Sequence, residues 1–158
     1  MAIREHQPPG RPRPVASPPA AVIDVLNALL ESQQNSIIRF MGESSPYLGG
    51  APPGIRQLLR QLLDNNLKRS EALYNLIEKL GGSPRPRGLQ PEEQYLSYLS
   101  LKFLLPKIVD AKQLIIRRYE NALQAIKNAP PEVVALLEGQ LADHRDELGK
   151  LKAAITAK

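Results

Sequence analysis

Five polar side chains stand where this sequence should place apolar ones, and their types could do chemistry. In several segments apolar residues recur every three or four positions, which on a helix forms an apolar stripe along one face. The polar residues that interrupt or join these stripes are Gln33, Asn66, Arg69, Tyr119 and His144. His144 is one of only two histidines and lies in LADHRDELGKL at 141–151. On a helix, an imidazole serves as a metal ligand, an acid–base group or a hydrogen-bonded core residue.

The interruptions at Gln33, at Asn66 with Arg69, and at His144 fall near the middle of their segments, so helices of similar length would bring them to one level. An unpaired polar group buried there costs about 1–3 kcal/mol, and a buried guanidinium costs more. The sequence therefore predicts one shared polar network that includes the Tyr119 hydroxyl. The alternative is a wide stripe from which Arg69 reaches solvent along its aliphatic stem.

Helical periodicity and loop residues divide the chain after its first residues into long helices. Proline and glycine clusters (GESSPYLGGAPPG, GGSPRPRG and APPE) predict that the helices span residues 20–41, 53–80, 105–128 and 131–155. A short helix is predicted at 91–104. Pro106 either kinks one longer helix or occupies the first turn of a new one.

The predicted fold is all-α, a four-helix bundle. The composition supports this class, because 42% of residues are AVILMFWYC while only 4% are aromatic and none is Trp. Short loops make the first pair and the last pair antiparallel. The middle connection, about residues 81–104, is long enough to travel the length of the bundle, which is the connectivity of ferritin-like bundles.

Bulk composition excludes several classes of function. The absence of Cys excludes disulfides, thiolate catalysis and thiolate metal sites, and fits a reducing compartment. No apolar run approaches the 18 or so residues that span a bilayer, and MAIREHQPPGRPRPVASPPAA lacks the apolar stretch of a secretory signal. We therefore expect a cytoplasmic protein without membrane insertion. The net charge of +5 permits an anionic partner without requiring one.

Residues 1–19 are predicted to form a flexible arm, and residues 20–158 the bundle. The arm holds six of the fifteen prolines and, against Glu5, the arginines Arg4, Arg11 and Arg13. Such a stretch buries too little apolar surface to offset its ordering entropy. The arm acts either as a solubilising tail or as a basic contact to nucleic acid, lipid or a partner.

Four segments in order resemble the ferritin-like superfamily, near the bacterioferritin and rubrerythrin type. They are LNALLESQQNSIIRF (26–40), KRSEALYNLIEKLGGSP (68–84), RRYENAL (117–123) and LADHRDELGKL. The resemblance covers about residues 20–155. It implies a di-iron centre held by one Glu on the first helix, Glu-x-x-His on the second, one Glu on the third and Glu-x-x-His on the fourth.

Carried onto this sequence, those six ligand positions fall in chain order on Gln33, Asn66, Arg69, Ile115, Leu141 and His144. Only His144 keeps its ligand type, all four carboxylates are missing, and Arg69 brings a permanent positive charge. Such a set repels a cation rather than binding it, so His144 is predicted to be a core histidine and no cofactor is expected. Arg69 then needs an acceptor: a neighbouring amide, a backbone carbonyl or a bound anion.

The nearby acids are predicted to lie off the stripes, pointing sideways or outward: Glu31, Glu71, Asp110, Asp143 and Glu147. The favoured function is therefore a non-catalytic bundle that has lost its ligands and acts as a structural or protein-interaction module. One alternative is a di-iron or di-manganese oxidoreductase whose helices rotate Glu31, Glu71, Asp110 or Asp143 inward. Another is a nucleic-acid-associated protein that uses the arm.

Self-association is expected as well, with a dimer as the simplest form. Apolar positions beyond those of a four-helix core widen the stripes: Leu30, Leu63, Ile77, Leu114 and Ile116. The apolar segment YLSYLSLKFLLP (95–106) is predicted to cap one end of the bundle, and the alternative is that it docks a partner helix.

Overall fold

The computed structural model describes residues 19–34, 53–85 and 101–156, and all regular secondary structure in these ranges is helical. The helices are α1 (Pro19–Gln34), α2 (Pro53–Lys79), α3 (Leu101–Ala125) and α4 (Pro131–Thr156). The all-α class predicted from the sequence is confirmed for this part of the chain. None of these four helices has the combination of length and hydropathy that crossing a membrane requires.

Two helices match their predicted bounds closely, and one begins earlier than expected. The ends of α2 and α4 each differ from the prediction by one residue. Helix α3 begins at Leu101 rather than Leu105, so Pro106 lies inside it and not in its first turn. The bond that Pro106 cannot donate would go to the carbonyl of the second helical residue, so its absence leaves most of the helical bonding intact.

Several predictions fall on residues outside the described ranges. These are the continuation of the first helix through 35–41, residues 91–100 of the short helix predicted at 91–104, and the arm at 1–18. Residues 101–104 of that short helix are instead the first residues of α3. Pro19, which the prediction assigned to the arm, is the first residue of α1.

The four helices pack as a ring in which every neighbour is antiparallel. Helix α1 contacts α2 and α3, and α4 contacts the same two helices from the opposite corner. The direction of α2 against α4 follows from two ion pairs, Lys79 with Glu132 and Arg69 with Glu147. Because α2 and α3 are both antiparallel to α4, they run in the same direction. The last residue of α2 and the first residue of α3 therefore lie at opposite ends of the bundle.

The buried apolar residues form two clusters. The smaller one joins the starts of α2 and α3 to the end of α4, and its buried members are Leu59, Leu62, Leu104, Ile108 and Leu151. The larger one fills the other half, where α1 covers the remaining three helices, with Leu26, Leu73, Ile77 and Leu137 fully buried. Leucine and isoleucine side chains spaced at three and four positions place this surface on one face of each helix.

The extra apolar positions predicted to widen the stripes mostly belong to the interior. Leu30, Ile77 and Ile116 are buried in the larger cluster, and Leu63 packs partly buried against the smaller one. Only Leu114 is exposed, at 41%. The prediction that these residues lie beyond the four-helix core is therefore wrong for three of the five, because a helix at the corner of a four-helix ring faces two neighbours and buries a wide stripe.

The glycine pair of LIEKLGGSP ends α2 by a Schellman motif. Gly81 has φ +85°, in the left-handed region, and its N–H bonds to the Glu78 carbonyl while the Gly82 N–H bonds to the Ile77 carbonyl. Gly82 has a second role, since a Cβ there would lie 2.7 Å from Cγ2 of Ile23. The second glycine thus allows α1 to approach the end of α2.

A buried amide on α1 then fixes the chain that leaves α2. Asn27 donates from Nδ2 to the Ser83 carbonyl over 3.2 Å, and its Oδ1 accepts from the Arg85 N–H over 2.7 Å. These two bonds, together with Gly82, hold the start of α1 against the end of α2.

Candidate functional site

A layer of polar side chains lies between the two apolar clusters. With the exception of Asn27, every buried polar residue of the described chain belongs to it, and the Tyr119 hydroxyl joins them. We call this set the polar layer: Gln33, Asn66, Arg69, Lys112, Tyr119, Gln140, His144 and Glu147. All four helices contribute to it, so it forms only when the bundle is assembled.

Glu147 is the centre of the charged half of the layer. Its carboxylate accepts two bonds from Arg69, Nη1 to Oε2 and Nη2 to Oε1, each 2.9 Å long. Lys112 donates to Oε1 over 2.6 Å, and Asn65 donates to Oε2 over 2.9 Å. Four hydrogen bonds occupy the roughly four lone-pair sites that a carboxylate offers.

The uncharged half is a chain of amides and a phenol. Gln33 donates from Nε2 to the Tyr119 hydroxyl over 2.6 Å, and Tyr119 donates to Oε1 of Gln140 over 2.5 Å. Gln140 continues this series of hydrogen bonds, because its Nε2 donates to the Arg69 backbone carbonyl over 3.2 Å. Asn66 donates to the Gln33 backbone carbonyl over 3.1 Å, so α1 is fixed to α2 at this level.

His144 connects the two halves. Its Nδ1 lies 3.0 Å from Nζ of Lys112, and its Nε2 lies 2.9 Å from Nε2 of Gln33. A charged ammonium only donates, so with Lys112 charged the ring accepts at Nδ1 and carries its proton on Nε2. The Gln33 amide must then present its oxygen to the ring in place of Nε2. That exchange would remove its donation to Tyr119 and would put the amide nitrogen in the buried position where Oε1 now has no partner. With Lys112 neutral, the opposite tautomer fits and Gln33 donates.

Burial among positive charges keeps the imidazole neutral. Desolvation, reinforced by the charges of Lys112 and Arg69, lowers the pKa of His144 to about 2. Desolvation also lowers the pKa of Lys112 to about 8, because the Glu147 carboxylate raises it less than burial lowers it.

The other two titratable groups shift in opposite directions. Burial raises the pKa of the Tyr119 phenol above its usual range, although the Gln33 hydrogen bond and the Arg69 charge act against it. Burial alone would raise the pKa of Glu147, but hydrogen bonds from Arg69 and the Lys112 charge outweigh it, so the pKa lies below its ordinary value. At neutral pH Glu147 is therefore ionised.

The structure brings together all five residues of the predicted network, but the interpretation of Arg69 changes. Its side chain is only 5% exposed, so it does not reach solvent, and its acceptor is the Glu147 carboxylate rather than an amide, a backbone carbonyl or a bound anion. Both terminal nitrogens are occupied by that carboxylate. Only Nε, which is buried, has no partner.

Three members of the layer were not predicted from the sequence: Lys112, Gln140 and Glu147. The prediction that Glu147 lies off the stripe is wrong, since the residue is 3% exposed. Periodicity alone does not separate adjacent positions, so the apolar neighbours Ala111 and Leu148 fit the stripes of α3 and α4 as well as Lys112 and Glu147 do. The sequence does contain a signal for their burial. Lys112 lies four residues after Ile108, and Glu147 lies three residues after His144, which are the spacings of residues on one buried helix face.

The other positions carried over from the ferritin-like pattern are apolar. Ile115 and Leu141 are buried in the larger apolar cluster. Among the remaining acids, Glu71, Asp110 and Asp143 are exposed and Glu31 is half-buried. In residues 19–34, 53–85 and 101–156, no three His, Asp or Glu side chains come together in a way that could hold a metal ion.

A groove of about 490 Å³ between α2 and α4 borders the layer. Its walls include Arg69, Gln140 and Glu147, and small residues such as Ala72 and Gly139 leave it open. Through the groove, solvent reaches the edge of the polar layer. His144 lies deeper and is only 1% exposed.

The described chain is therefore an all-α protein of four packed helices whose interior is divided by a buried ion-pair layer. No protein-family model matches it, and no curated protein and no solved structure matches it either.

Proposed function

We propose that this chain is a ferritin-like bundle in which a buried ion-pair layer stands in place of a metal centre, and that it acts as a structural or protein-interaction module. The ring of antiparallel neighbours, with α2 and α3 beginning at the same end, is the arrangement that a long middle crossover requires. Four of the six carried-over ligand positions belong to the polar layer: Gln33, Asn66, Arg69 and His144.

The observation that carries this proposal is the saturation of Glu147. A metal at this level would need free lone pairs on carboxylate oxygens, but both oxygens of Glu147 already accept two hydrogen bonds each. His144 is engaged at both nitrogens. No layer residue thus has a free anionic ligand for a divalent cation.

The net charge of the polar layer also disfavours the binding of a metal ion. With Arg69 and Lys112 positive and Glu147 negative, the layer has a net charge of +1 while Lys112 is protonated. A divalent cation at this level would face two buried positive groups without an excess of negative charge. The guanidinium and ammonium groups supply the positive charge that metal ions supply in a di-iron bundle.

The two alternative functions gain no specific support from the described residues. A rearranged di-iron site needs acids turned inward, whereas Glu71, Asp110 and Asp143 lie at the surface. Nucleic-acid binding through Arg4, Arg11 and Arg13 concerns residues outside the described ranges.

The test combines metal analysis with thermal unfolding. We expect the full-length chain, purified without chelators, to contain iron and manganese only far below one ion per chain. Added Fe²⁺ (kept anaerobic) or Mn²⁺ should leave the unfolding temperature unchanged, because a ligand that binds the native state raises it. Stoichiometric metal, or a metal-dependent rise in unfolding temperature that is lost in Glu147→Gln, would overturn the proposal.

A further inference from the structure

The outward flank of α2 carries two of the three large apolar side chains that are exposed in the described chain. Leu67 is 56% exposed and Tyr74 is 39% exposed. They lie seven residues apart and therefore on one face, with the half-buried Leu63 on the same line. We call these three residues the α2 patch. Leu114, the third exposed one, stands alone on α3.

The α2 patch is separate from the groove beside the polar layer. The groove is lined by the opposite flank of α2, including Asn65 and Ala72, which faces α4. The α2 patch lies instead toward the α1 side of the bundle and outward, where no described residue covers it.

Opposite charges stand at the two ends of the same line. Arg60 and Glu78 are eighteen residues apart, which is five full turns of an α-helix, so they project from α2 in the same direction, about 27 Å apart. Both are exposed, and neither forms an ion pair with another described residue.

We propose that the α2 patch is a self-association surface through which two copies of this chain pair antiparallel along α2. A two-fold axis at the level of Arg69 and Ser70 places Arg60 against the partner's Glu78 and, by symmetry, the reverse. The same axis brings Leu67 within about three positions of the partner's Tyr74, about 4–5 Å along the helix, which the two long side chains can span.

The charge pattern is the reason to choose a second copy over another partner. The ends of the line are complementary to each other under a two-fold rotation, with the apolar side chains between them. A parallel arrangement would instead set Arg60 against Arg60, and like charges disfavour it. One charge opposes the pairing, since Glu71 lies at the edge of the patch near the axis, close to its own symmetry copy.

The length of the line suits a stable dimer. A standard interface buries about 800 Å² on each partner, which is a disc about 32 Å across. The distance between Arg60 and Glu78, extended by their long side chains, covers that width. None of these residues belongs to the polar layer, so this inference stands whether or not the proposed function is correct.

The first test measures the molar mass of the full-length chain by sedimentation velocity over a range of concentrations. We expect a reversible dimer whose dissociation constant rises about tenfold or more in Leu67→Glu, because a central apolar contact is lost twice. Leu114→Glu makes the same change at another exposed leucine and should leave the dimer unaffected. Far-UV circular dichroism verifies that both variants keep their helices.

The second test uses charge reversal. Arg60→Glu and Glu78→Arg should each weaken the dimer, and the double variant Arg60→Glu/Glu78→Arg should restore it, because the attraction is the same with the charges exchanged. Glu71→Gln should tighten it. A monomeric wild type at every concentration overturns the proposal. It is equally overturned if Leu67→Glu and Leu114→Glu behave alike, or if the double reversal fails to restore pairing.

Discussion

Replacing Glu147 by Gln tests the polar layer most directly, because Glu147 is the only anion within the described ranges that neutralises two buried cations. The change keeps the volume of the side chain and removes the charge. Arg69 and Lys112 would remain in the interior, at 5% and 4% exposure, facing an uncharged amide. Breaking a buried pair by removing one partner costs about 3–5 kcal/mol. Lys112 limits the loss by releasing its proton more readily, but Arg69 has no such route.

The matched control removes a cation instead. Holding Lys112 charged in the folded state, with its pKa lowered from 10.5 to about 8, costs about 3 kcal/mol at neutral pH. Lys112→Met removes this cost but leaves Nδ1 of His144 without a donor, which costs about 1 kcal/mol. We therefore expect the free energy of unfolding at pH 7 to stay unchanged or to rise by up to about 2 kcal/mol.

Chemical unfolding followed by circular dichroism measures both effects, and the urea dependence shows whether the two-state slope is preserved. For a chain of this size, about 3–5 kcal/mol corresponds to a fall of about 6–20 °C in the unfolding temperature of Glu147→Gln. The double variant should be more stable than Glu147→Gln alone, because it leaves one cation fewer without a counter-charge. A Glu147→Gln protein within about 1 kcal/mol of wild type, or Lys112→Met equally damaging, would refute the reasoning.

Further predictions concern pH and the glycines. The pKa of His144 is lowered from 6.5 to about 2, so only the unfolded state takes up this proton as the pH falls below 6.5. The free energy of unfolding should therefore be about 3 kcal/mol lower at pH 4.5, and His144→Gln should remove this part of the pH dependence in unfolding titrations. Between pH 8 and 10.5 only the unfolded state keeps the Lys112 proton, so the free energy of unfolding of wild type should rise by about 3 kcal/mol relative to Lys112→Met, and parallel profiles would contradict this. Gly81→Ala should cost about 1–2 kcal/mol, because φ is +85° there. Gly149→Ala, in the interior of α4 with open space around its Cβ position, should instead gain about 0.5–1 kcal/mol in the same unfolding assay.

The sequence by itself determined the helical class and most of the helix ends. Apolar spacing of three and four requires one buried face per helix, and the Gly81–Gly82 pair marks the end of α2 in the sequence because only glycine adopts the left-handed turn without strain. Local rules of this kind depend on neighbours along the chain. The interruptions at Gln33, Asn66, Arg69 and His144 were likewise visible as breaks in a periodic pattern.

The tertiary structure alone decided which charges are buried. Lys112 and Glu147 look like surface residues next to apolar ones, and only the rotation of α3 and α4 in the assembled ring turns them inward. That rotation is set by the need of Arg69, on another helix, for an anionic partner within 2.9 Å. A buried charge is tolerated only with its counter-charge, and the partner here lies 78 residues away along the chain. No local pattern carries that information, because the interaction exists only when separate helices meet.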